Sequence, residues 1–466
     1  MQQKGATGYM TWINKILKII TIAALSVFVG LPIVVYILLN LPAVQHYTTS
    51  KAEVELSRLL GVPVTIEGVN PALFNKLFVE GVTITDSVRN DTILSVDRIG
   101  AGIRIGKLIS SGRIVFSFAE IIGPEIHLWR DSAEAELNIQ PIIDRLSTGE
   151  KSTESSFDLA INNVVVRGGR FTYDVLSEPE MADNQIDFNH IHVSGVKADI
   201  LVPQLSDKDI SIQVKRLAVS EQSGIAVSNI ETTIHVDDSS ATVIPLIVTT
   251  KNSRLHIDRI EAHYRSLADF TRKPLRASYN MIVGNSRFTP SDIQALLPTE
   301  YPLDPQSPVQ FSLKVKAADN KVDVTDLRLT DSNGSADISI PHIAVSNVTV
   351  KDSIAVEIPA MTIYADPKRL HFNNPKIETI STRLSPIELT GNVALNTTSN
   401  SQANLTATST SGKLKLTATT SALNKPERLT FKASADVDNI NLGEILNNED
   451  LGTTDFKFTA NGNLYN

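Results

Sequence analysis

Apolar and polar residues alternate in many short segments of the chain beyond residue 60. The segment PEIHLW, with Ile126 and Leu128, and the segment KLKLTATT, with Leu414 and Leu416, are clear examples. Because successive side chains of a β-strand point to opposite faces of its sheet, a two-residue period predicts strands with one apolar and one polar face. Glycines such as the pair Gly168–Gly169 predict turns between these segments. The pattern therefore predicts a mainly β protein.

One segment near the N-terminus has no polar face. From Ile19 to Leu39 the chain contains no charged residue, and at about 1.5 Å per residue a helix of this length covers the roughly 30 Å hydrocarbon thickness of a bilayer. A cleaved signal peptide is the weaker interpretation, because its apolar region spans only about 7–15 residues and a small-residue cleavage site should follow it. We therefore expect an uncleaved transmembrane helix that contains Ile19, Leu25, Phe28, Pro32, Tyr36 and Leu39.

The charges around this segment predict its orientation. Lys4, Lys15 and Lys18 precede it without any acidic residue. Basic residues are enriched on the cytoplasmic side of membrane helices, so we expect the N-terminus in the cytoplasm and the remainder outside. The chain has no cysteine, which suits an oxidising compartment. Its net charge of −8 offers no electrostatic surface for nucleic acid.

Few later segments have the periodicity of a helix. The segment Ala43 to Leu60 has apolar residues at roughly helical spacing, and Gly61 and Pro63 after it are typical of a helix end. Shorter helices are predicted near Pro141–Leu146, Pro290–Leu297 and Leu442–Asn447. We expect a cytoplasmic N-terminus (1–18), an anchor (19–39), a helix with a first β unit (40–150), a second β unit (151–285) and further β units (286–466).

The C-terminal part of the chain is rich in Ser, Thr, Asn and Ala, as in NTTSNSQANLTATSTSGKLKLTATTSAL. A low-complexity linker is one interpretation, but the alternation of Leu405, Ala407, Leu414 and Leu416 favours strands with an unusually polar outer face. The last residues, TANGNLYN, have the pattern of an unfinished strand, whereas a complete domain normally ties down its last element. We therefore expect this chain to be the N-terminal part of a longer protein.

Candidate chemistry is sparse. His190 and His192 lie two residues apart and would share one face of a strand, which makes half of a metal site, but two polar-face histidines are the simpler interpretation. The segment GAGIRIG, Gly100 to Gly106, is not a dinucleotide fingerprint because Ile105 replaces its third glycine. Neither a Gly-x-Ser-x-Gly elbow nor a P-loop occurs. We expect no enzymatic activity, no cofactor and no bound metal.

A sheet with one apolar face and few long helices needs something to cover that face. A second sheet would make a closed sandwich, whereas an elongated, curved and open trough would leave the face to another occupant, such as acyl chains. In such a trough we expect the groove to be lined by Ile114, Phe116, Phe118, Ile126, Leu128, Val164, Val166 and Phe171. For each of these residues, the alternative is an ordinary core side chain.

Several sequence segments resemble those of the AsmA-like family of Gram-negative envelope proteins and its TamB branch. They are LGVPVTIEGV (Leu60 to Val69), LFNKLFVEGVTITDS (Leu73 to Ser87), IVFSFAEIIGPEIHLWRD (Ile114 to Asp131), VVVRGGRFTYD (Val164 to Asp174), RFTPSDIQALLP (Arg287 to Pro298) and VDNINLGEILNNEDLGTTDFKFTANG (Val437 to Gly462). None of them is a catalytic signature. Their order after a single N-terminal anchor carries the resemblance, although a TamB-like protein would continue far beyond Asn466.

The resemblance implies a long, twisted β-trough of mostly parallel-running strands that projects from the inner membrane into the periplasm. The implied role is phospholipid transport between the inner and outer membranes, with acyl chains on the apolar concave face. An alternative role in the TamB branch is translocation and assembly, which is the secretion of outer-membrane and autotransported proteins with an outer-membrane β-barrel partner. A third hypothesis is a structural β protein tethered to the membrane.

Overall fold

The computed structural model describes residues 36–37, 40–72, 76–104, 110, 114–147, 157–159, 162–181, 185–206, 209–297, 303–350, 353–370, 375–384, 386–421, 423–424 and 429–463. The chain divides into two units: the first comprises 1–180 and 187–201, and the second 181–186 and 202–466. Most of the predicted anchor, including Ile19, Leu25, Phe28, Pro32 and Leu39, lies outside the described residues. Within the described ranges, no helix has both the length and the apolar character needed to cross a bilayer.

The protein is mainly β, as its alternating pattern predicts. The strands are β1 (Val64–Ala72), β2 (Lys76–Thr85), β3 (Thr92–Ile103), β4 (Ile114–Arg130), β5 (Phe157–Leu159), β6 (Asn163–Val175), β7 (His190–Ser206), β8 (Asp209–Glu221), β9 (Ala226–Val227), β10 (Asn229–Asp237), β11 (Ser240–Thr249), β12 (Arg254–His263), β13 (Ser278–Phe288), β14 (Val309–Ala318), β15 (Lys321–Asp331), β16 (Ala336–Ser346), β17 (Ala355–Ala365), β18 (Ile387–Asn396), β19 (Ser401–Ser409), β20 (Gly412–Thr420), β21 (Thr430–Asn441) and β22 (Thr453–Asn463).

The helices are short apart from the first. They are α1 (Pro42–Leu60), α2 (Gln140–Ser147), α3 (Leu267–Arg272), α4 (Pro375–Arg383) and α5 (Leu442–Leu446), with single 3₁₀ turns at Pro274–Arg276, Pro290–Asp292, Gln294–Leu296 and Pro367–Arg369. The structure thus has a helix at each predicted position, although Pro290–Leu297 forms two 3₁₀ turns. Helix α1 begins with a proline, whose missing N–H costs nothing there, and ends at Gly61 with a left-handed φ of 74°.

Antiparallel pairing dominates both units, so the implied mostly parallel arrangement is wrong. In the first unit β1, β2, β3 and β4 pair in order, and β6 pairs with β7, all antiparallel. Among the pairings of described residues in this unit, only those of β4 with β5 and with β6 are parallel. The physical reason is short connections, since parallel strands need a crossover of a dozen or more residues. Between β14 and β15, for example, only Asp319 and Asn320 intervene, and both have the positive φ of a tight hairpin turn.

The second unit is a meander. Strand β8 pairs with β9 and β10, and from β10 each strand pairs with the next one as far as β22. No pairing among the described residues joins β22 back to β8, so this sheet is open. Bulges interrupt many of the pairings, for example between Val283 and Ser286 and between Ile358 and Met361. Such bulges bend the strands and increase their twist.

Four-strand groups repeat within this meander. The groups β11–β14, β15–β18 and β19–β22 each place a buried serine in the turn after the first strand: Ser253, Ser335 and Ser411. Each turn is tied to the helical segment that follows the third strand of its group. The Ser253 hydroxyl donates to Asp292, the Asp366 N–H donates to the Ser335 carbonyl, and the Ser411 hydroxyl donates to Glu444.

The closely packed core of the first unit lies between α1 and the first strands. Val64, Ile66, Val69, Val82 and Val96 are all buried there. Ala52 and Leu60 of α1 pack against them. A second cluster at one end of these strands joins Val62, Ile93 and Ile142 of α2. Helix α1 therefore covers the apolar face beside β1.

Candidate functional site

The first unit has an apolar sheet face that extends beyond the core. One row of directly opposed residues crosses six strands on this face: Val69, Val79, Ile99, Ile121, Val166 and Ala198. A parallel row consists of Val64, Ile84, Leu94, Ile126, Phe171 and Val193. Toward β6 and β7 the side chains of Val166, Phe171 and Val193 are only half-buried, whereas the small Ala198 is buried. The face is therefore covered by α1 at one edge and more open away from it.

A crease crosses the strands of this unit between the two rows. Gly81, Gly123 and Gly168 have left-handed φ angles of 60°, 60° and 71°, and the register places Gly81 of β2 opposite Asp97 of β3, and Asp97 opposite Gly123 of β4. On either side of the crease, residues three apart face the same core: Ile66 with Val69, Val79 with Val82, and Val96 with Ile99. The crease thus interrupts the two-residue period.

The crease determines on which face of the sheet each predicted groove residue lies. Ile126 is opposed by Leu94 and Phe171, Val164 by Ala119, and Val166 by Ile121, all on the apolar face. Leu128 packs against the cluster of Ile93 and Ile142. These placements put Ile126, Leu128, Val164, Val166 and Phe171 along or beside one apolar surface.

Phe118 lies on the face of the sheet opposite to that of Ile126. This differs from the expectation that both residues line one groove. The Phe118 ring covers Gly102, and the Lys76 ammonium nitrogen lies 5.9 Å from the ring centroid. The left-handed Gly123 lies between Phe118 and Ile126, so an even spacing no longer means a common face. Ile114 and Phe116 belong to β4, but their side chains lie outside the described part of the chain.

The second unit has a longer apolar face. One row of opposed residues runs from β10 to β16: Ile234, Val243, Ile260, Met281, Val315, Val324 and Ile343. Another runs from β14 to β22: Phe311, Leu329, Ile338, Ile363, Leu389, Ala407, Leu414, Val437 and Phe456. Apolar side chains thus succeed one another across thirteen strands, from β10 to β22, without a charged residue in either row.

The opposite face of the second unit is polar. One of its rows reads His235, Thr242, Glu261, Asn280, Lys316 and Asp323. Ion pairs on this face, such as Lys314–Asp326 at 2.9 Å and Lys415–Asp438 at 3.3 Å, are largely exposed. Exposed pairs contribute about 0–1 kcal/mol each. This face is therefore an ordinary solvated surface.

Much of the apolar face in the second unit remains accessible. Leu414 exposes 36% of its surface, Phe456 46% and Phe458 59%, and most residues of the two rows are only half-buried. Buried members such as Ile257 and Val283 lie next to the bulges of their strands, and Ile340 is also buried. A closed sandwich would bury such side chains, because interiors pack at high density. An apolar surface of this extent, left partly exposed, has the character of a binding face.

The described polar groups of the first unit meet in one shallow pocket. A shallow pocket of about 370 Å³ is lined by Arg89, Asp91, Thr92, His127, Trp129, Thr172, Asp174 and Leu176. In it His127 Nδ1 lies 3.1 Å from the Thr172 hydroxyl. A nucleophile and base of this kind also need a group that orients the imidazole, and no such partner of His127 occurs among the described residues.

His190 and His192 are each paired with an aspartate. His190 Nδ1 lies 3.0 Å from Asp187, and His192 Nε2 lies 3.1 Å from Asp174. The described residues contain no group of three or more potential ligands that could hold a metal ion. The expectation that the chain binds no metal stays a prediction.

The perturbed carboxylates belong to turns. Burial by itself raises the pKa of Asp292, but hydrogen bonds from Thr250, Asn252 and Ser253 outweigh it and hold that pKa below 3.8. These donors lie in the turn between β11 and β12, so the ionised Asp292 holds that turn in place. Its perturbed pKa thus has a structural cause, and no catalytic cleft is needed to explain it.

One sequence signal for the crease is present but easily overlooked. Glu-Gly-Val occurs at residues 67–69 and again at 80–82. In each case the glycine lies where the apolar side chains change from one set of alternate positions to the other. Reading only two-residue alternation hides this i, i+3 spacing of core residues.

Comparison with family models, with curated proteins and with solved structures finds no match to this chain.

Proposed function

We propose that this protein binds phospholipid acyl chains along its apolar sheet faces and takes part in phospholipid movement between the inner and outer membranes. The observation that carries the proposal is the pair of apolar rows in the second unit, which pass through thirteen strands while their side chains stay largely half-exposed. The predicted segment Ile19–Leu39 would anchor the chain in the inner membrane, with the sheet in the periplasm. The resemblance to the AsmA-like family supports the same role.

The chemistry of the rows suits an acyl chain. Each CH₂ group removed from water contributes about 0.8 kcal/mol, so a long chain would be held firmly by surface contact alone. Because the rows contain no charged residue, successive positions offer similar environments and no strong minimum. A bound chain could therefore slide along the sheet while its head group stayed in water beyond the strand ends.

One feature weighs against the assembly hypothesis at the first strand. Adding a client strand to a sheet requires a free edge. At β1, Ser57 and Glu53 of α1 already accept hydrogen bonds from the N–H groups of Val64 and Ile66. This edge is therefore closed to a further strand unless α1 moves.

Photo-crosslinking in the full-length chain tests the proposal. Phe458 and Lys457 are neighbours on β22, and the alternation of the strand places their side chains on opposite faces. A photoreactive amino acid at Phe458 should capture phospholipid in a Gram-negative host, and the same group at Lys457 should capture much less. In the first unit, Phe171 and Phe118 form an equivalent pair of half-buried aromatic residues on opposite faces.

The outcomes separate the three hypotheses. Lipid adducts at Phe458 and Phe171 that exceed those at Lys457 and Phe118 support acyl-chain binding. Crosslinks confined to the protein itself would overturn it in favour of a closed structural core. Crosslinks to outer-membrane polypeptides in place of lipid would favour the assembly role.

A further inference from the structure

The loop between β12 and β13 contains an apolar residue, Leu275, that is largely exposed to solvent. This loop, residues 264–277, contains α3 and the 3₁₀ turn Pro274–Arg276. The four successive residues Lys273–Arg276 are all exposed. Leu275 exposes 79% of its surface. An isolated exposed leucine is unremarkable, but the construction and charge of this loop make it distinctive.

Well-defined contacts hold the loop in shape. The rings of Tyr264 and Phe270 stack with centroids 4.4 Å apart, and the Tyr264 hydroxyl oxygen lies 2.8 and 2.7 Å from the carbonyl oxygens of Asp237 and Ser240, within hydrogen-bonding distance of both. Near the tip, the Tyr279 hydroxyl donates to the Pro274 carbonyl at 2.7 Å, and Ala277 is buried. Leu275 is therefore held outward by the surrounding structure.

The loop carries cations without ion-pair partners. The side chains of Arg265, Lys273 and Arg276 are exposed, and none of the three forms an ion pair among the described residues. Arg272 adds a fourth positive charge to the segment, against one acid, Asp269. On the polar sheet face, by contrast, Arg259 pairs with Glu261 at 2.6 Å.

Two acids lie at the base of the loop. Asp237 accepts hydrogen bonds from Ser239 and Ser240, and Asp238 accepts one from the N–H of Leu267. Residues 272–276 around Leu275 include three basic residues and no acid, although the whole protein has a net charge of −8.

We propose that loop 264–277 docks on an anionic phospholipid surface. Leu275 enters the interfacial region, Lys273 and Arg276, which flank it in the chain, contact lipid phosphates, and Arg265 adds to the positive charge of the loop. Exposed apolar residues flanked by Lys and Arg are the usual means by which soluble segments bind such surfaces. Arg and Lys suit this position because their apolar stems follow the buried leucine while their charges stay at the head groups.

The structure supplies a matched control loop. The next four-strand group has its own loop at the equivalent place, residues 347–354 between β16 and β17. It also exposes apolar residues, with Val348 at 41% and Val350 at 47%. Its only charged residues are Lys351 and Asp352, which cancel. An apolar tip without surplus positive charge is thus available for comparison in the same molecule.

The absence of cysteine makes a clean experiment possible. Leu275→Cys and Val350→Cys are made separately in the full chain, labelled with an environment-sensitive fluorophore, and reconstituted in phosphatidylcholine nanodiscs. Vesicles of phosphatidylcholine, with or without phosphatidylglycerol, are then added. The label at position 275 should shift to the blue with the anionic vesicles, and a spin-labelled lipid in them should quench it. The label at position 350 should change little.

Charge variants decide whether the cations drive the docking. Lys273→Gln and Arg276→Gln in the Leu275→Cys background should each weaken partitioning about fivefold, while Lys273→Arg should preserve it. Equal responses at positions 275 and 350, equal responses to both lipid compositions, or no effect of the two charge variants would overturn the proposal. Circular dichroism of each variant checks that the fold is retained. The outcome is independent of lipid crosslinking at Phe458, so the two proposals can fail separately.

Discussion

The Glu53 carboxylate of α1 accepts a hydrogen bond from the backbone N–H of Ile66 on the edge of β1, at 2.8 Å. Ser57, one helical turn later, accepts the equivalent bond from Val64 at 2.9 Å. The match is geometric: four helical residues span about 6 Å, and two strand residues span about 6.6 Å. Side chains of one helix therefore satisfy successive outward-pointing N–H groups of the edge strand.

Removing the Glu53 acceptor should loosen this edge. We expect Glu53→Ala to lower the free energy of unfolding of the first unit by about 1.5–3 kcal/mol, the contribution of a hydrogen bond to a charged group. Amide hydrogen exchange at Ile66, with chemical denaturation, measures the effect. Glu53→Gln keeps an acceptor oxygen and should retain most of the protection. Unchanged exchange at Ile66 in the alanine variant would contradict the role assigned to the carboxylate.

Gly391 should be intolerant of a side chain. Its φ is 154°, and a methyl group there would overlap the backbone carbonyl of Asn404 on β19. We expect Gly391→Ala to destabilise the second unit by about 2–5 kcal/mol, from backbone strain plus steric overlap. Gly224→Ala is the control, because Gly224 has a positive φ of 96° but no neighbour within 4 Å of the added carbon. It should cost only the strain, about 1–2 kcal/mol, and equal costs for the two variants would refute the steric argument.

Asp331 should make the second unit sensitive to acid. Burial raises its pKa, but hydrogen bonds from Ser307, Ser335 and the Asn333 N–H together outweigh burial and hold the pKa below 3.8. A carboxyl with a lowered folded-state pKa stabilises the fold above its unfolded pKa, and this stability is lost as pH falls through the folded value. We therefore expect the denaturant concentration at the unfolding midpoint to decrease as the pH is lowered below about 4. Asp331→Asn should flatten that dependence, and an identical pH profile for the variant would argue against it.

Exposed members of the apolar face should matter more for lipid than for stability. Phe458 is 59% exposed, so Phe458→Ser should change the free energy of unfolding by less than about 1 kcal/mol. Ile340 on the same sheet is 8% exposed, and Ile340→Ser should cost about 3–5 kcal/mol. We expect Phe458→Ser to reduce the phospholipid that copurifies with the full chain, measured by mass spectrometry. Unchanged lipid content in a folded Phe458→Ser protein would count against the proposed binding face.

The predicted anchor has a direct test. Replacing Leu25 by Arg places a charge in the middle of the segment Ile19–Leu39, at a cost to membrane insertion of about 2.5–3.5 kcal/mol. We expect part of the Leu25→Arg protein to be released from membranes by alkaline carbonate, whereas Leu25→Ile should remain with them. Complete extraction of the unaltered chain would show that the segment does not span the bilayer.

The candidate site could be predicted only in part. The pattern around PEIHLW correctly joins Ile126 to an apolar face, since a short regular strand has a fixed period of two. The same logic fails for Phe118. The left-handed Gly123 lies between Phe118 and Ile126, so two residues separated by an even number of positions no longer lie on the same face of the sheet. A glycine tolerates such a φ but does not require it, so the sequence alone does not reveal which glycines form the crease.

By itself the sequence determined the local elements of this protein: the alternating strands and the end of α1 at Gly61. These depend on neighbouring residues and on the backbone preferences of glycine. The tertiary structure alone decided which strands pair, that nearly all of them run antiparallel, and that α1 closes the edge of β1. Those features depend on contacts between residues far apart in the chain, and many strands of similar alternation have no local signal that selects a partner.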